Sequence, residues 1–292
     1  MTLELLKPKA EIMPRMENPR ERAIGTASVL GRIGSLETRL AVNSAEIRAA
    51  QLIRYRVFVE EMGAELPAEA MRAGLDFDAF DEICDHLLVL DTSIEGEPVD
   101  QIVGTYRLLR QDVAERHSGF YSASEFDIEP LMARHPNKKF MELGRSCVLP
   151  AYRTKRTVEL LWQGNWAYAL RHGLDVMFGC GSLPGTFPEM HALALSFLYH
   201  NTLAKGEWTV SAHEHLHRNM DLMPKEAINA KQALMALPPL IKGYLRLGAM
   251  IGDGAVVDRA FGTTDVLVVL PIESISGRYL NYYGADAQRF AC

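Results

Sequence analysis

The 292-residue chain has no long apolar run, few cysteines and none of them paired. Its four cysteines, Cys84, Cys147, Cys180 and Cys292, are scattered, and none belongs to a CxxC pair. That spacing speaks against a zinc site and a disulfide framework, and it points to a reducing, cytoplasmic setting. A bilayer span needs about 20 consecutive apolar residues. The most apolar stretch, LMALPPLIKGYLRLGAMIG at 234–252, is broken by two prolines, Lys242 and Arg246. It is not a span, but it suits peripheral contact with a membrane surface. The opening MTLELLKPKAEIMPRMENPRER mixes charges of both signs and lacks the apolar core of a secretory signal. Residues 1–33 read as a flexible leader. Internal repeats and low-complexity tracts are also missing.

What is present is charge in blocks. Net charge is −6. From Glu60 to Asp100 there are thirteen acids against Arg72 alone, and from Arg134 to Arg156 seven bases against Glu142 alone. Such contrast suits one surface for a cationic ligand and another for an anionic one. The acidic balance, and a basic run without interleaved aromatics, exclude a nucleic-acid partner from the reading.

Strand-forming segments alternate with helical ones, which predicts an α/β or α+β chain. GSLETRLAVN (34–43) is a first strand. The stretch 44–63 is a helix, capped by Asn43 with Glu46 completing a capping box and stopped by Gly63. HLLVLD (86–91) and QIVGTYRLL (101–109) are strands joined by a polar hairpin connection. FMELGRSCVL (140–149) and DVMFGCGS (175–182) flank a helix over 157–173 that ends at Gly173. A helix over 190–201 and a late strand, DVLVVLPI (265–272), follow.

The order RYRVFVEEMGAE, DFDAFDE, hairpin, GTYRLL, MELGRS resembles the acyl-homoserine-lactone synthases, which share the fold of GNAT-type N-acetyltransferases. The positions matching their signature are Arg54, Phe58, Asp78, Asp81, Arg107, Glu142 and Arg145. Where those synthases carry a Trp just after the first helix, this chain has Ala64. A closer resemblance, over most of the chain, is to the L-ornithine Nα-acyltransferases. The stretches CDHLLVLDT, IVGTYRLLRQ, FMELGRSCVLPAYRTKRTVELLWQGNWAYAL, LALSFLYHN and PPLIKGYLRLGAMIGDGAVVD carry it. It implies a mixed, mostly antiparallel sheet flanked by helices over 34–220, with a C-terminal extension (221–292) on the same core. It also implies transfer of a 3-hydroxyacyl group from acyl carrier protein to the α-amine of L-ornithine, giving lyso-ornithine lipid. The acyl group would ride on the carrier's phosphopantetheine, with no further cofactor and no metal.

Glycine is missing at one telling place. Acetyl-CoA users of this fold wrap the pyrophosphate in a glycine-rich loop at a helix N-terminus. Here the stretch is RTKRTV, with Arg153, Lys155 and Arg156. A carrier protein presents one phosphodiester and an acidic surface, which side-chain cations suit better than a glycine cradle. In MELGRS, Glu142 and Arg145 stand an odd number of residues apart and would face opposite ways in a regular strand. A bulge at Gly144 would put both on one face. The resemblance then implies that Glu142 serves the amine and that backbone around Gly144–Ser146 meets the thioester carbonyl. Asp78 and Asp81 either shape the ornithine side or brace Arg54 and Arg107. The resemblance also implies an acyl groove between FMELGRS and DVMFGCGS, near Trp162 and Trp166. His86 and Asp91 match a His-x4-Asp pattern, but the five steps along a strand separate them by about 16 Å on opposite faces, so they form no dyad. HEHLH (213–217) lacks accompanying carboxylates or cysteines and reads as surface. Three alternatives remain: a lactone synthase using S-adenosylmethionine, an acetyl-CoA user, and a non-catalytic acyl-carrier sensor.

Overall fold

A computed structural model describes residues 28–275. Its strands are β1 (Val29–Ile33), β2 (Leu36–Leu40), β3 (Asp85–Asp91), β4 (Ile102–Arg110), β5 (Phe140–Val148), β6 (Val176–Pro184), β7 (Met250–Ile251), β8 (Val256–Asp258) and β9 (Thr263–Pro271). The helices are α1 (Ser44–Tyr55), α2 (Ala68–Ala73), α3 (Gln111–Ala114), α4 (Glu129–Arg134), α5 (Lys155–His172), α6 (Ala192–Thr202), α7 (Ala230–Ala236) and α8 (Pro239–Leu247). One sheet runs β1-β2-β3-β4-β5-β6-β9-β7, with β8 also paired to β9. Only β5 and β6 are parallel neighbours; the other pairs are antiparallel. The fold is therefore the α/β class that the alternating segments predict, with the mixed, mostly antiparallel sheet that the resemblance implies. A parallel pair needs a crossover, and α5 supplies it.

The apolar run of β3 does not alternate with polar residues because both its faces are covered. Leu88 and Leu90 pack with Ala50 and Ile53 of α1. Leu87 and Val89 join the larger cluster that contains Leu160 and Ala167 of α5. That cluster also takes in Ile241 and Tyr244 of α8 and Val268 of β9. Tyr106 and Tyr244 join their hydroxyls at 2.7 Å across this core.

Three local expectations change. The strand assigned to 34–43 is the second arm of a hairpin. Its first arm, β1, lies in residues read as leader, and the turn passes through Gly34 at φ +64°. Residues 1–27 of that leader, and Cys292, lie outside the described residues. Asn43 does cap α1, accepting from the Glu46 N–H at 2.9 Å, but Glu46 closes no capping box. Its carboxylate instead takes both arms of buried Arg39 at 2.7 and 2.8 Å, and the Val42 N–H at 2.9 Å. A buried guanidinium needs a counter-charge more than a helix end needs a second cap. Beyond Tyr55 the helix widens into a π-helical stretch, Arg56–Glu61, before Gly63 stops it at φ +78°. Such widenings are rare and gather at functional sites.

β5 and β6 stay paired only from Phe140–Val176 to Glu142–Phe178, then separate. The separation starts at Gly179, whose φ is +158° and whose place would put a Cβ 2.2 Å from the Leu143 carbonyl oxygen. No other residue fits so close to a backbone oxygen at that φ. Gly179→Ala is expected to cost about 3 kcal/mol or more of unfolding free energy. Gly34→Ala, in open space at φ +64°, is expected to cost about 1 kcal/mol. Urea titration of the two variants measures the difference, and equal losses would contradict the close approach.

Candidate functional site

The parting strands open a cavity of about 630 Å³. Its walls are Leu143–Val148 of β5, Cys180 and Ser182 of β6, and Val158, Leu161 and Trp162 of α5. Pro238–Ile241, at the start of α8, roof it, and Asp258, Phe261, Thr263 and Asp265 close the far side. Phe58, Glu61 and Met62, from the widened end of the first helix, also line it. Trp162 thus borders the cavity as expected, edge-on to Tyr244 at 5.0 Å. Trp166 is buried in the core cluster behind it.

The bulge sits one residue later than expected. Thr105 pairs with Cys147 and Arg107 with Gly144, so two steps on β4 match three on β5. The extra residue falls at Arg145–Ser146, and Arg145 is the one non-glycine among the described residues with positive φ, +52°. That conformation costs about 1 kcal/mol or more and is held by contacts on every side of the guanidinium. Arg145 lies over the Tyr121 ring at 4.8 Å and the Phe261 ring at 4.3 Å. It also pairs with Asp76 and Asp78, each at 3.4 Å.

Those aspartates belong to a buried network. Arg54, fully buried, meets Asp76 at 3.0 Å and Asp81 at 2.8 Å. Arg107 meets Asp78 at 2.5 Å and Asp81 at 3.5 Å. Burial works to raise the Asp81 carboxyl, but Arg54 and Arg107 outweigh it and hold it below the usual range. Of the residues matched to the synthase signature, Phe58, Arg107, Glu142 and Arg145 line the cavity, with Gly144 and Ser146 beside them. Arg54, Asp78 and Asp81 stand behind its wall. Sequence reading passed over Asp76, two residues before the DxxD pair, although it is as deeply buried as Arg54's other partner.

Glu142 is buried, and burial raises its carboxyl above the usual range despite hydrogen bonds from Ser122 and Tyr121 that work the other way. Oε2 accepts from the Tyr121 N–H at 2.8 Å, and Oε1 from the Ser122 N–H at 2.7 Å and from the Ser122 hydroxyl. The side chain therefore fixes the loop that carries the Tyr121 ring beneath Arg145. Glu142 and Arg145 meet at Tyr121, as sharing a face requires.

The basic elbow borders the cavity mouth at the N-terminus of α5, where Thr154 caps the helix by accepting from the Thr157 N–H. Arg153 and Lys155 line the opening, and Arg156 is exposed on the same turn. Arg153 is held in a fork by Glu61 at 2.5 and 2.6 Å. Lys155 pairs with Glu159 at 3.3 Å.

A second set of acids was not singled out in the sequence. Glu125, Cys180 and Asp265 bring a carboxylate, a thiol and a carboxylate within 4.8 Å of one another. The Cys180 thiol donates to Glu125 at 3.3 Å. Burial first, then Asp265, pushes Glu125 up to about 7. Burial is also the main cause that pushes Asp265 up to about 6; the Thr263 and Ser182 hydroxyls oppose it, Asp258 adds to it and Arg145 opposes it. The only sequence signal was an aspartate set among the apolar residues of TTDVLVVLP. His86 Nε2 donates to the Asp81 carbonyl at 3.0 Å, and Asp91 receives the Tyr152 hydroxyl at 2.9 Å, so the two are not partners. In HEHLH, His213 is bonded to the Ala123 carbonyl at 2.9 Å, and His217 lies beside Asp253 at 3.6 Å.

Strands that part at the sheet's one parallel pair, a bulge at the lip of the gap and a helix N-terminus at its mouth define an acyltransferase of the GNAT type. The model for an acetyltransferase (GNAT) domain matches residues 53–163. The chain belongs to the L-ornithine Nα-acyltransferases. It is 70% identical over 292 residues to the L-ornithine N(alpha)-acyltransferase of Rhizobium meliloti (strain 1021), covering all of this chain and 99% of that one. It is 68% identical to that of Agrobacterium fabrum (strain C58 / ATCC 33970), covering 95% of this chain and 94% of that one. Among solved structures it is similar to a CoA-dependent acyl-homoserine lactone synthase, BjaI, with SAM and isopentyl-CoA. There the TM-score is 0.46 at 14% identity, over 85% of this chain and 84% of that one.

The raised carboxyl of Asp265 makes a prediction about stability. Its folded value, about 6, lies above its unfolded one, so the native state keeps a proton that the unfolded state has lost. Stability contributed this way is present at low pH and lost as pH rises from about 4 through about 6. Glu125, Asp258 and Arg145 face the same group. Asp265→Asn should therefore match the wild type near pH 4 and exceed it by about 2–3 kcal/mol near pH 8. Thermal melts across that range measure this, and a constant difference would contradict it.

Proposed function

We propose that this chain moves a 3-hydroxyacyl group from acyl carrier protein to the α-amine of L-ornithine, giving lyso-ornithine lipid. The observation that carries the reading is an apolar cavity in the parting of β5 and β6, with a basic rim outside and paired charges within. The carrier's phosphopantetheine enters past Arg153, Lys155 and Arg156, and no further cofactor is required. Its acyl chain lies against Leu161 and Trp162 of α5 and under Pro238–Ile241. The work is cytoplasmic, with peripheral contact at the inner membrane where the product belongs. No helix among the described residues is long and apolar enough to cross a membrane.

In the reaction the α-nitrogen forms a bond to the thioester carbon, the C–S bond breaks and the carrier's thiol leaves with a proton. A bulge leaves one backbone N–H outside the strand ladder. The N–H groups at Gly144–Ser146 thus serve the developing oxyanion. An α-ammonium titrates near 8 and an ordinary Glu near 4.3, a gap worth about 5 kcal/mol. Burial of Glu142 narrows that gap, so it takes up the amine proton directly or through water. Phe58 and Arg107 line the acceptor side. Arg54, Asp78 and Asp81 act behind them by holding Arg107 and Arg145 in place.

Purified protein given 3-hydroxyacyl carrier protein and a mixture of amino acids, S-adenosylmethionine and acetyl-CoA should yield Nα-(3-hydroxyacyl)ornithine, read by mass spectrometry. Release of methylthioadenosine, or acetyl transfer in its place, would reject the reading.

An anionic carrier is steered by exposed cations over about 8 Å at physiological salt. Arg153→Glu/Arg156→Glu should raise KM for the carrier about tenfold and flatten its salt dependence, leaving KM for ornithine within about twofold. Kinetics over a salt series tests this, and a shift confined to ornithine would refute the docking role.

A further inference from the structure

Asp265 lies outside the acyl-transfer geometry described above, yet it lines the same cavity, and Glu125 stands within 4.8 Å of it beside Cys180. Register explains how. Glu142 stands beside Phe178 on the shared face of β5 and β6, and Cys180 and Ser182 follow Phe178 on that face. Ser182 pairs with Asp265 of β9, so Asp265 projects to the same side. Counted from the Glu142–Phe178 pair, the bulge at Arg145–Ser146 and residues Gly181–Ser182 are equally far along the two parting strands. Asp265 therefore stands across the opening from the bulge.

The local chemistry is that of an unfilled cation seat. Asp265 is 6% exposed and lines the cavity, and its Oδ1 has no hydrogen-bond partner. Thr263, 3% exposed and also lining the cavity, makes no close hydrogen bond either, although its hydroxyl lies near enough to Asp265 to oppose the rise of that carboxyl. Buried Asp265 and half-buried Glu125 have no cation of their own within bonding distance, and both are raised above the usual range, Glu125 in part by Asp265. The cation nearest in the cavity, Arg145, already serves Asp76 and Asp78. A ligand with an ammonium at one end and a carboxylate at the other would meet Glu125 and Asp265 with the first and Arg145 with the second.

We infer that Glu125 and Asp265 seat the side-chain ammonium of the acceptor, so that the site selects a basic diamino acid over a neutral amino acid of the same length. The inference rests on the proposed amino-acid acceptor but concerns binding, not turnover.

Equilibrium dialysis of the full chain with L-ornithine and with L-norvaline, which lacks only the terminal amine, tests it. Wild type should bind ornithine about 10–100-fold more tightly, the range for removing one charge-assisted bond from a buried partner. Glu125→Gln/Asp265→Asn should abolish that preference while keeping the norvaline Kd within about threefold, which also shows that the variant is folded. Asp265→Glu, which keeps the charge, should keep the preference. Equal wild-type Kd values for the two amino acids would overturn the inference. So would a double variant that still prefers ornithine, or a divalent metal ion that copurifies with wild type and is lost with Asp265. Loss of norvaline binding in the double variant while Asp265→Glu binds both amino acids equally would overturn it too, since the pair would then support the fold. If wild type binds ornithine selectively but acylates neither amino acid, the proposed reaction fails and the seat stands.

Discussion

Three guanidinium groups and three carboxylates, locked together in and behind the cavity wall, are the constraint on which the site depends. Arg54 comes from α1, Arg107 from β4 and Arg145 from the bulge of β5, while Asp76, Asp78 and Asp81 share one short segment. Charges buried this deeply add little to stability as a set, but removing any one leaves its partner uncompensated at a cost of several kcal/mol. The network thus acts through geometry. It fixes the segment 76–82 against α1 and holds Arg145 in a left-handed conformation, which in turn sets where the strand ladder is interrupted.

The aromatic rings around Arg145 extend that control. Tyr121 lies under one side of the guanidinium and Phe261 near the other, and Phe261 meets Phe58 edge-on at 5.6 Å. Glu142 anchors the backbone at Tyr121 and Ser122. One carboxylate on the central strand therefore places a ring, the ring places an arginine, and the arginine faces the cavity. Electrostatic preorganisation of this kind leaves little to rearrange when charge develops.

Much of this was legible in the sequence. The strands β3, β4, β5, β6 and β9 and the helices α1, α5, α6 and α8 announce themselves by apolar pattern and by Asn43 and Gly173 at their ends. The odd spacing of Glu142 and Arg145 called for a bulge, and one is present, displaced to the residue whose side chain is held most tightly. β1 was missed because VLGRI is short, and its pairing depends on the turn at Gly34. The π-helical stretch was missed because RVFVEE carries no local signal for the extra residue per turn. Glu125 and Asp265 were missed for a different reason. They lie 140 residues apart and meet only through β6, where Ser182 pairs with Asp265 and Cys180 bonds to Glu125.

The position of β9 has a consequence for how the chain is made. β6 pairs with β9 along its whole length, Val176–Pro184 against Pro271–Thr263, and with β5 over only three residues. Until β9 leaves the ribosome, one side of β6 is a nine-residue edge of open hydrogen-bonding groups. At about 5–20 residues per second that interval is on the order of ten seconds. α8, the roof of the cavity, is delivered in the same late segment. A nascent chain stalled before residue 263 would thus hold its charge network complete beside an exposed strand, a template for pairing with other chains. Synthesis of this protein should depend on chaperone cover of that edge, and the same chain would be most vulnerable to truncation at its C-terminal side.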